Sequence, residues 1–555
     1  MKRAALLLVL AGCGGGQDAP PSPAPPAGAV AGIHFTDVTE SCGIRMTLTS
    51  GEDPPTRLFE AKGNGLALVD YDNDGDSDVF VPNGATIASP DRGPGCRLFE
   101  NLGDLQFRDV TERAAIGFHR WGYGAYSGDY DGDGFDDLFV TCYGENALLR
   151  NTGHGQFVET TRGAGLAGNA WSSGAAFGDI DRDGDLDLYV VNYARLPATG
   201  KAPQSEFLGV MVMSGPAGLP AVPDILWINQ GDGTFVDGSE AWGLREEPAR
   251  WGLGAVMLDF DGDGWIDLYV GNDSQPSYLF RNTGEGRLDE VGTMGGIALN
   301  EDGAAQATMG IAVGDVNDDG LADVFTTNFM FDTNTLHLNL GELNFEDRTR
   351  QFGLFLDSRP FLSWAAGLYD FDNDEDLDLV YFNGHIYPEE LCNSRNWGYR
   401  QVAALYERDG PRFQRLWADT AGAWLAIPHC DRGAAFGDLD GDGDVDILVC
   451  ERNGPVRLLR NDRDGGNWLT VTLDDRRPGH ERRGWGGKIA AVTGDRTQTR
   501  WLASGASFLS GNQPLAHFGL PESTAGVTVR VTWSDGFEQS FENVPVRTPF
   551  VAHRD

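Results

Sequence analysis

One nine-residue string carries most of the reactive chemistry in this sequence. It reads DYDNDGDSD from Asp70, DYDGDGFDD from Asp129, DIDRDGDLD from Asp179 and DFDGDGWID from Asp259. It continues as DVNDDGLAD from Asp315, DFDNDEDLD from Asp370 and DLDGDGDVD from Asp438. Positions 1, 3, 5 and 9 are Asp70, Asp72, Asp74 and Asp78; Asp129, Asp131, Asp133 and Asp137; Asp179, Asp181, Asp183 and Asp187; and Asp259, Asp261, Asp263 and Asp267. The last three copies give Asp315, Asn317, Asp319 and Asp323; Asp370, Asp372, Asp374 and Asp378; and Asp438, Asp440, Asp442 and Asp446. Asn317 is the one departure from Asp, and position 6 is Gly except at Glu375. Alternating carboxylates around a glycine turn are hard-cation chemistry, and calcium suits them better than magnesium, which keeps more of its water. The strings are not EF-hands. An EF-hand needs Glu at position 12, where this chain has Val81, Val140, Val190, Val270, Thr326, Tyr381 and Val449. Ligands are therefore expected from positions 1, 3, 5 and 9, a position-7 carbonyl and water. Empty, the seven loops would hold 27 mutually repelling carboxylates. Up to seven calcium ions would bring the formal charge from −41 to −27, with affinities of about 10⁻⁴ to 10⁻³ M for an extracellular module.

The neighbours of each string show what positions it. A small, Gly-rich segment precedes it (SSGAAFG, RGAAFG) and a β-branched, aromatic run follows (DLYVVN, DLYVGN). Then comes a run ending in Asn-x-Gly (LLRNTGHGQF, LWINQGDGTF), and a short segment starting at Phe107, Phe157, Phe235, Leu288, Phe345 or Phe413. Four short strands per unit, repeated seven times at spacings of 50 to 80 residues, predict an all-β fold: a seven-bladed β-propeller over residues 33–465. The seventh unit lacks its last segment, whereas FTDVT at Phe35–Thr39 precedes the first. The N-terminal segment is therefore expected to complete the seventh blade and close the ring without a free edge.

The balance of the chain narrows the function. It has 83 acidic and 42 basic residues and 76 glycines, yet 41% of it is apolar, so it can bury large cores. The charge excludes nucleic acid and an electrostatic hold on anionic lipid. Residues 1–12 read as a signal peptide, Lys2 and Arg3 followed by the apolar run from Ala4 to Ala11. The tetrad L-A-G-C at Leu10–Cys13 resembles the bacterial lipobox. That resemblance implies lipidation of Cys13 and a membrane-anchored, extracytoplasmic protein, on the outer membrane or cell surface if Gram-negative. The anchor would be the chain's sole membrane contact. Residues 13–32 are then a Gly/Pro/Ala tether. Six further cysteines could pair in an oxidising compartment, Cys392 with Cys430 being the favoured pair.

The unit GxxxGDxDxDGxxDLxVxN with NxGDGxFxDVT resembles the FG-GAP/VCBS repeat, the blade type of integrin α-subunit heads. That implies Asp loops between the first and second strand of each blade. Past residue 465 the period stops. WLTVTL, GKIAAVTG, QTRWLASG, VTVRVTW and EQSFENV read as strands of a small β-sandwich over residues 466–555. RRGWGGKIAAVTG, SFLSGNQPLAHFGL and VRVTWSDGFEQSF resemble the ASPIC/UnbV domain. With NGHIYP at Asn383–Pro388 and GPAGLPAVPDILWINQGDGTF at Gly215–Phe235, the whole resembles the cartilage acidic protein-like family.

Two units carry long inserts, between Asn192 and Ile225 and between Asn383 and Leu405, on the face opposite the Asp loops. Trp121, Trp171, Trp251 and Trp364, each six or eight residues before a loop, point to that face. With Tyr387, Trp397 and Tyr399 they could rim the channel mouth and bind a sugar or peptide side chain, or could instead pack between blades. No GxSxG, HExxH or P-loop occurs. His119, His385, His429 and His517 form no recognisable catalytic pair. The expected function is thus non-enzymatic: a calcium-binding surface lipoprotein acting as a binding or adhesion module for an extracellular protein or glycan. The alternative is a propeller enzyme acting on polysaccharide or another extracellular substrate through the insert face.

Overall fold

The computed structural model describes residues 32–166, 168, 170–196, 203–463 and 465–555. The signal peptide, Cys13 and almost all of the tether lie outside these residues.

Seven four-stranded antiparallel units follow one another, each built as the period predicts. Blade 1, for example, runs Ala67–Val69, Asp78–Val81, Arg97–Asn101 and Phe107–Asp109. Blade 7 runs Asp431–Gly437, Asp446–Glu451 and Val456–Asn461, and its fourth strand is Phe35–Asp37 from the start of the chain. The register pairs Phe35 with Asn461 and Asp37 with Leu459. The ring therefore closes as the sequence predicts, and the buried Phe35 ring packs edge-on against Phe371 and Trp424. The first strands of successive blades touch in cyclic order, the seventh touching the first, which makes the arrangement propeller-like. The first strand of blade 3 also pairs with the far end of blade 2's second strand, Trp171 opposite Tyr143. Second strands such as Asp187–Asn192 are wholly buried, which explains their β-branched and aromatic composition.

The C-terminal residues form two sheets. In one, Asn467–Asp475 lies between Ala516–Leu520 and, in parallel, Pro549–Arg554. The other runs Arg496–Trp501, Lys488–Thr493, Val527–Thr532 and Glu538–Val544. Leu469, Val471, Trp485, Ile489, Phe518 and Val529 fill the space between them, and this core is continuous with Phe177 and Leu188 of blade 3.

The sandwich sits on the Asp-loop face, and its segment 504–513 enters the middle of the ring. Gly511 exchanges backbone hydrogen bonds with Leu66 and Leu68, and Ser507 with Ile311. Leu509 O accepts from Ala125, Ser504 Oγ accepts from the Phe177 N–H, and Gln513 N–H donates to Phe436 O. Phe508 reaches Trp364, centroids 5.0 Å apart. The central channel is therefore plugged by its own C-terminal domain. Close approach explains some of the glycine here: a Cβ on Gly505 would stand 2.2 Å from Ala255 O, and one on Gly65 1.9 Å from Leu509 O.

The six described cysteines are all buried and unpaired, which corrects the expected Cys392–Cys430 bridge. Instead Cys392 Sγ donates to Tyr387 O and Cys430 Sγ to His385 O, both at 3.5 Å.

Candidate metal sites

Each Asp string forms the turn from a blade's first strand to its second, and backbone N–H groups orient its carboxylates. The position-1 carboxylate bridges the turn. In loop 2 the Asp133 and Gly134 N–H groups donate to Asp129 Oδ1 and Oδ2, at 3.0 and 2.9 Å. Loops 1, 3, 5 and 6 repeat this at Asp70, Asp179, Asp315 and Asp370. In loops 4 and 7, Asp259 and Asp438 take the position-4 and position-6 N–H instead. Position 5 (Asp74, Asp133, Asp183, Asp263, Asp319, Asp374, Asp442) accepts the position-7 N–H. Position 9 is buried in every loop and accepts two backbone N–H groups, one from position 2 and one from the third strand. For Asp137 these donors are Tyr130 and Asn151, at 3.2 and 2.7 Å. Asp78, Asp187, Asp267, Asp323, Asp378 and Asp446 repeat the pattern. Each oxygen keeps a second lone pair for a ligand.

Position 3 is where the fit to a cation shows. Asp72, Asp131, Asp181, Asp372 and Asp440 each bury an Oδ1 that meets no hydrogen-bond donor. A buried carboxylate oxygen without a partner is costly, and five recur at one motif position. Asp70, Asp72 and Asp78 bring one oxygen each within 4.8 Å of the others, as do Asp129, Asp131 and Asp137 and Asp179, Asp181 and Asp187; in loops 4 and 6 the converging residues are positions 1, 3 and 5, Asp259, Asp261 and Asp263 and Asp370, Asp372 and Asp374. Burial pushes the metal-free carboxyls upward, Asp129 and Asp179 to about 7 and Asp78 to about 9, because the charged form lacks a counter-ion. The residues fit calcium: hard oxygen donors, converging, with unused lone pairs.

The other two loops differ at position 3. Asp261 has no such buried, unpartnered oxygen, although its pairing with Arg281 at 3.0 Å is repeated by Asp131 with Arg150 in loop 2, and in loop 5 the Asn317 amide donates to Asp319 at 2.9 Å. Loop 6 keeps its turn despite Glu375, which adopts φ +81° where the other loops use glycine.

Two sets of contacts were not legible as function in the sequence. The first uses the Asn of each Asn-x-Gly. Asn229 Nδ2 donates to Leu186 O of its own loop and Tyr130 O of the preceding blade's loop, at 3.0 and 2.7 Å. Asn101, Asn151, Asn282 and Asn339 do the same, Asn101 reaching Leu439 of blade 7, and Asn461 makes the link to Phe371 alone. Blade 6 has Arg408 at that register. Six of the seven loop junctions are thus latched head to tail, the junction between blades 6 and 5 being without this link among the described residues. The second set comes from the C-terminal domain. Arg483 Nε donates to both Asp136 oxygens at 2.9 and 3.1 Å, and its Nη2 stands 3.4 Å from Asp70. Arg496 donates to Asp376 at 2.7 Å and Asp318 at 3.0 Å, the Gly519 N–H to Asp370, and Lys488 to Gly320 O.

On the opposite face the inserts cover the channel mouth. Phe207 of one packs on Tyr387 and Trp397 of the other, centroids 5.0 and 6.0 Å apart. The structure places Trp121, Trp171 and Trp364 in the interior rather than on an open rim, and Trp251 is half-buried with its Nε1 donating to Leu219 O. Trp121 and Trp171 meet edge-on with Phe59. Phe59, Tyr123 and Tyr143 enclose both Trp121 and Trp171, and Tyr193 adds a ring against Trp171.

Family profiles match both the repeats and the C-terminal domain. The FG-GAP-like repeat profile matches residues 70–140, 129–190, 218–270 and 259–326, and the ASPIC and UnbV profile matches residues 477–553. Human cartilage acidic protein 1 is 27% identical over 279 residues, covering 49% of this chain and 39% of that protein. The mouse protein is 28% identical over 278 residues, covering 49% and 40%. The alignment thus spans about two-fifths of the curated relatives. Among solved structures, an Agrocybe aegerita lectin described as recognising non-reducing terminal N-acetylglucosamine gives a TM-score of 0.35 at 15% identity, covering 73% of this chain and 91% of its own. BBS1N in complex with ARL6DN gives 0.40 at 10% identity, covering 78% and 97%. No helix among the described residues is long and apolar enough to cross a membrane, which says nothing of a β-barrel. The chain is a protein of FG-GAP-like repeats with a C-terminal ASPIC/UnbV domain.

Proposed function

We propose that this protein is a calcium-binding, extracytoplasmic lipoprotein anchored through Cys13, and that it works as a binding or adhesion module rather than an enzyme. Its partner is an extracellular protein or glycan. One observation carries the calcium reading: the buried, unpartnered Oδ1 atoms of Asp72, Asp131, Asp181, Asp372 and Asp440, repeated at one motif position. The ion would occupy the space enclosed by positions 1, 3, 5 and 9. There it would balance the charge of Asp129, Asp131 and Asp137 and their counterparts. The loops in turn present Asp70, Asp136, Asp318 and Asp376 to Arg483 and Arg496. Calcium therefore sets the surface on which the C-terminal domain docks. Partner binding is tested by immobilising the protein on glycan and peptide arrays, with calcium and with a chelator. Calcium-dependent retention of a glycan or peptide is expected. Turnover of a polysaccharide panel, with no retention on either array, would overturn the binding reading.

A further inference from the structure

Beneath the two inserts, on the face away from the Asp loops, lies a cavity of about 170 Å³. Leu58, Ala61, Met309, Trp364, Ile386 and Tyr387 give it an apolar wall. Two charged side chains also line it, Lys62 and Asp273.

Lys62 is one of four lysines in the chain and is 4% exposed. Its Nζ lies 3.8 Å from the Tyr193 ring centroid and 5.8 Å from that of Trp171. Among the described residues it makes no hydrogen bond and no ion pair. Ring faces attract an ammonium but do not replace its hydration shell. Burial accordingly lowers its pKa to about 8. Asp273 is close enough to interact with it, but the Asp273 carboxylate already accepts from the Tyr193 and Ser274 hydroxyls.

A second buried cation stands behind the wall. Arg432 is fully buried, and its Cζ lies 4.1 Å from the centroid of Trp364, whose ring forms part of the cavity. Its oxygen acceptors are the neutral carbonyls of Ala61, Gly384, His385 and Asp431. Two buried cations thus face one carboxylate, in a chain of net charge −41. The local deficit is one negative charge, next to an apolar space. That space resembles in size the roughly 150 Å³ apolar cavity that accepts a benzene ring.

We propose that this cavity binds a small carboxylate with a compact apolar body, the carboxylate meeting Lys62 Nζ and the body packing against Trp364, Met309 and Ile386. The inference is independent of the calcium reading, because Lys62 and Asp273 lie on the face opposite the Asp loops.

Sodium benzoate is the probe and benzamide its uncharged counterpart, titrated calorimetrically into the calcium-treated full chain. Benzoate is expected to bind at least tenfold more tightly than benzamide. Lys62→Met should lose that difference, and Asp273→Asn, which removes the competing charge, should bind benzoate several-fold more tightly. Benzoate should also protect Lys62 from amine-directed labelling, a readout in the unmodified protein that the small number of lysines makes easy to assign. Equal affinity for the two probes, no binding of either, or unprotected Lys62 labelling at saturating benzoate would overturn the proposal, whether or not the variants fold.

Discussion

The two faces of the ring are built on opposite principles. The Asp-loop face repeats one device seven times, each copy with its own backbone donors and five of them with an unpartnered Oδ1. The insert face uses segments that occur once, and it buries Trp121, Trp171 and Trp364, with a single lysine against the Trp171 and Tyr193 rings. The first face collects negative charge in converging carboxylates that could hold cations. The second buries a positive charge, Lys62, against aromatic rings. Repetition makes a chemistry visible in the sequence, whereas a site assembled from single residues of several blades becomes visible only in three dimensions.

The largest expected effect comes from breaking the ring that both faces share. Deleting residues 33–40 removes the fourth strand of blade 7 and leaves an open edge. The deletion should abolish the folded monomer, giving an unfolded or oligomeric product in light scattering; a deletant that melts like the parent would show that closure does not matter.

Calcium removal should come next, and it should act on the loop face first. Chelation is expected to lower Tm by about 10 °C or more, since occupancy at several sites stabilises by mass action. The metal-free protein should also acquire a pH dependence of definite sign. Asp129 and Asp179 are held up at about 7 and Asp78 at about 9 in the folded state, against roughly 4 in an unfolded chain. The native state therefore keeps protons that the unfolded state has lost, so metal-free stability should fall as pH rises from about 5 to 8. Saturating calcium should flatten that slope. Thermal melts across this range, with calcium and with chelator, read both effects, and a slope unchanged by calcium would separate the carboxylates from metal binding.

Smaller effects sharpen the comparison within the loop face. Asn229→Ala leaves Leu186 O and Tyr130 O without their shared donor in a buried site. A loss of about 2 kcal/mol is expected from denaturant titration, and a loss below about 0.5 kcal/mol would show that the inter-blade latch is incidental. Glu375→Gly should do the reverse. Glu375 holds φ +81°, which costs a side-chain-bearing residue about 1 kcal/mol relative to glycine. The substitution should stabilise by about that amount in the same titration, the weak Arg496 contact at 3.8 Å offsetting little of it.

What was legible follows the same division. The Asp strings, the strand order and the N-terminal closure recur in phase, so composition and spacing suffice to place them. The Asn of Asn-x-Gly is equally periodic, but its inter-blade acceptor is a backbone carbonyl of Tyr71, Tyr130, Ile180 or Phe260, and a carbonyl carries no sequence signature. The plug at 504–513 makes contacts across hundreds of residues by single backbone hydrogen bonds, which no local pattern encodes. Strand parity places Trp121 and Trp171 on one side of their strands, yet the rings of Phe59 and Tyr143, brought in from elsewhere in the chain, and of Tyr123 decide that they are interior. Lys62 follows a four-residue helix, Leu58–Ala61, with nothing in its neighbours to mark the absence of an anion.

The measurement that bears most directly on the central claim is the calcium content of the folded chain after equilibrium dialysis in millimolar calcium, read by atomic emission, for the parent and for Asp131→Asn. At least five and at most seven ions per chain are expected, and one fewer in the variant. Fewer than five bound ions per chain, or an unchanged count in Asp131→Asn, would contradict it.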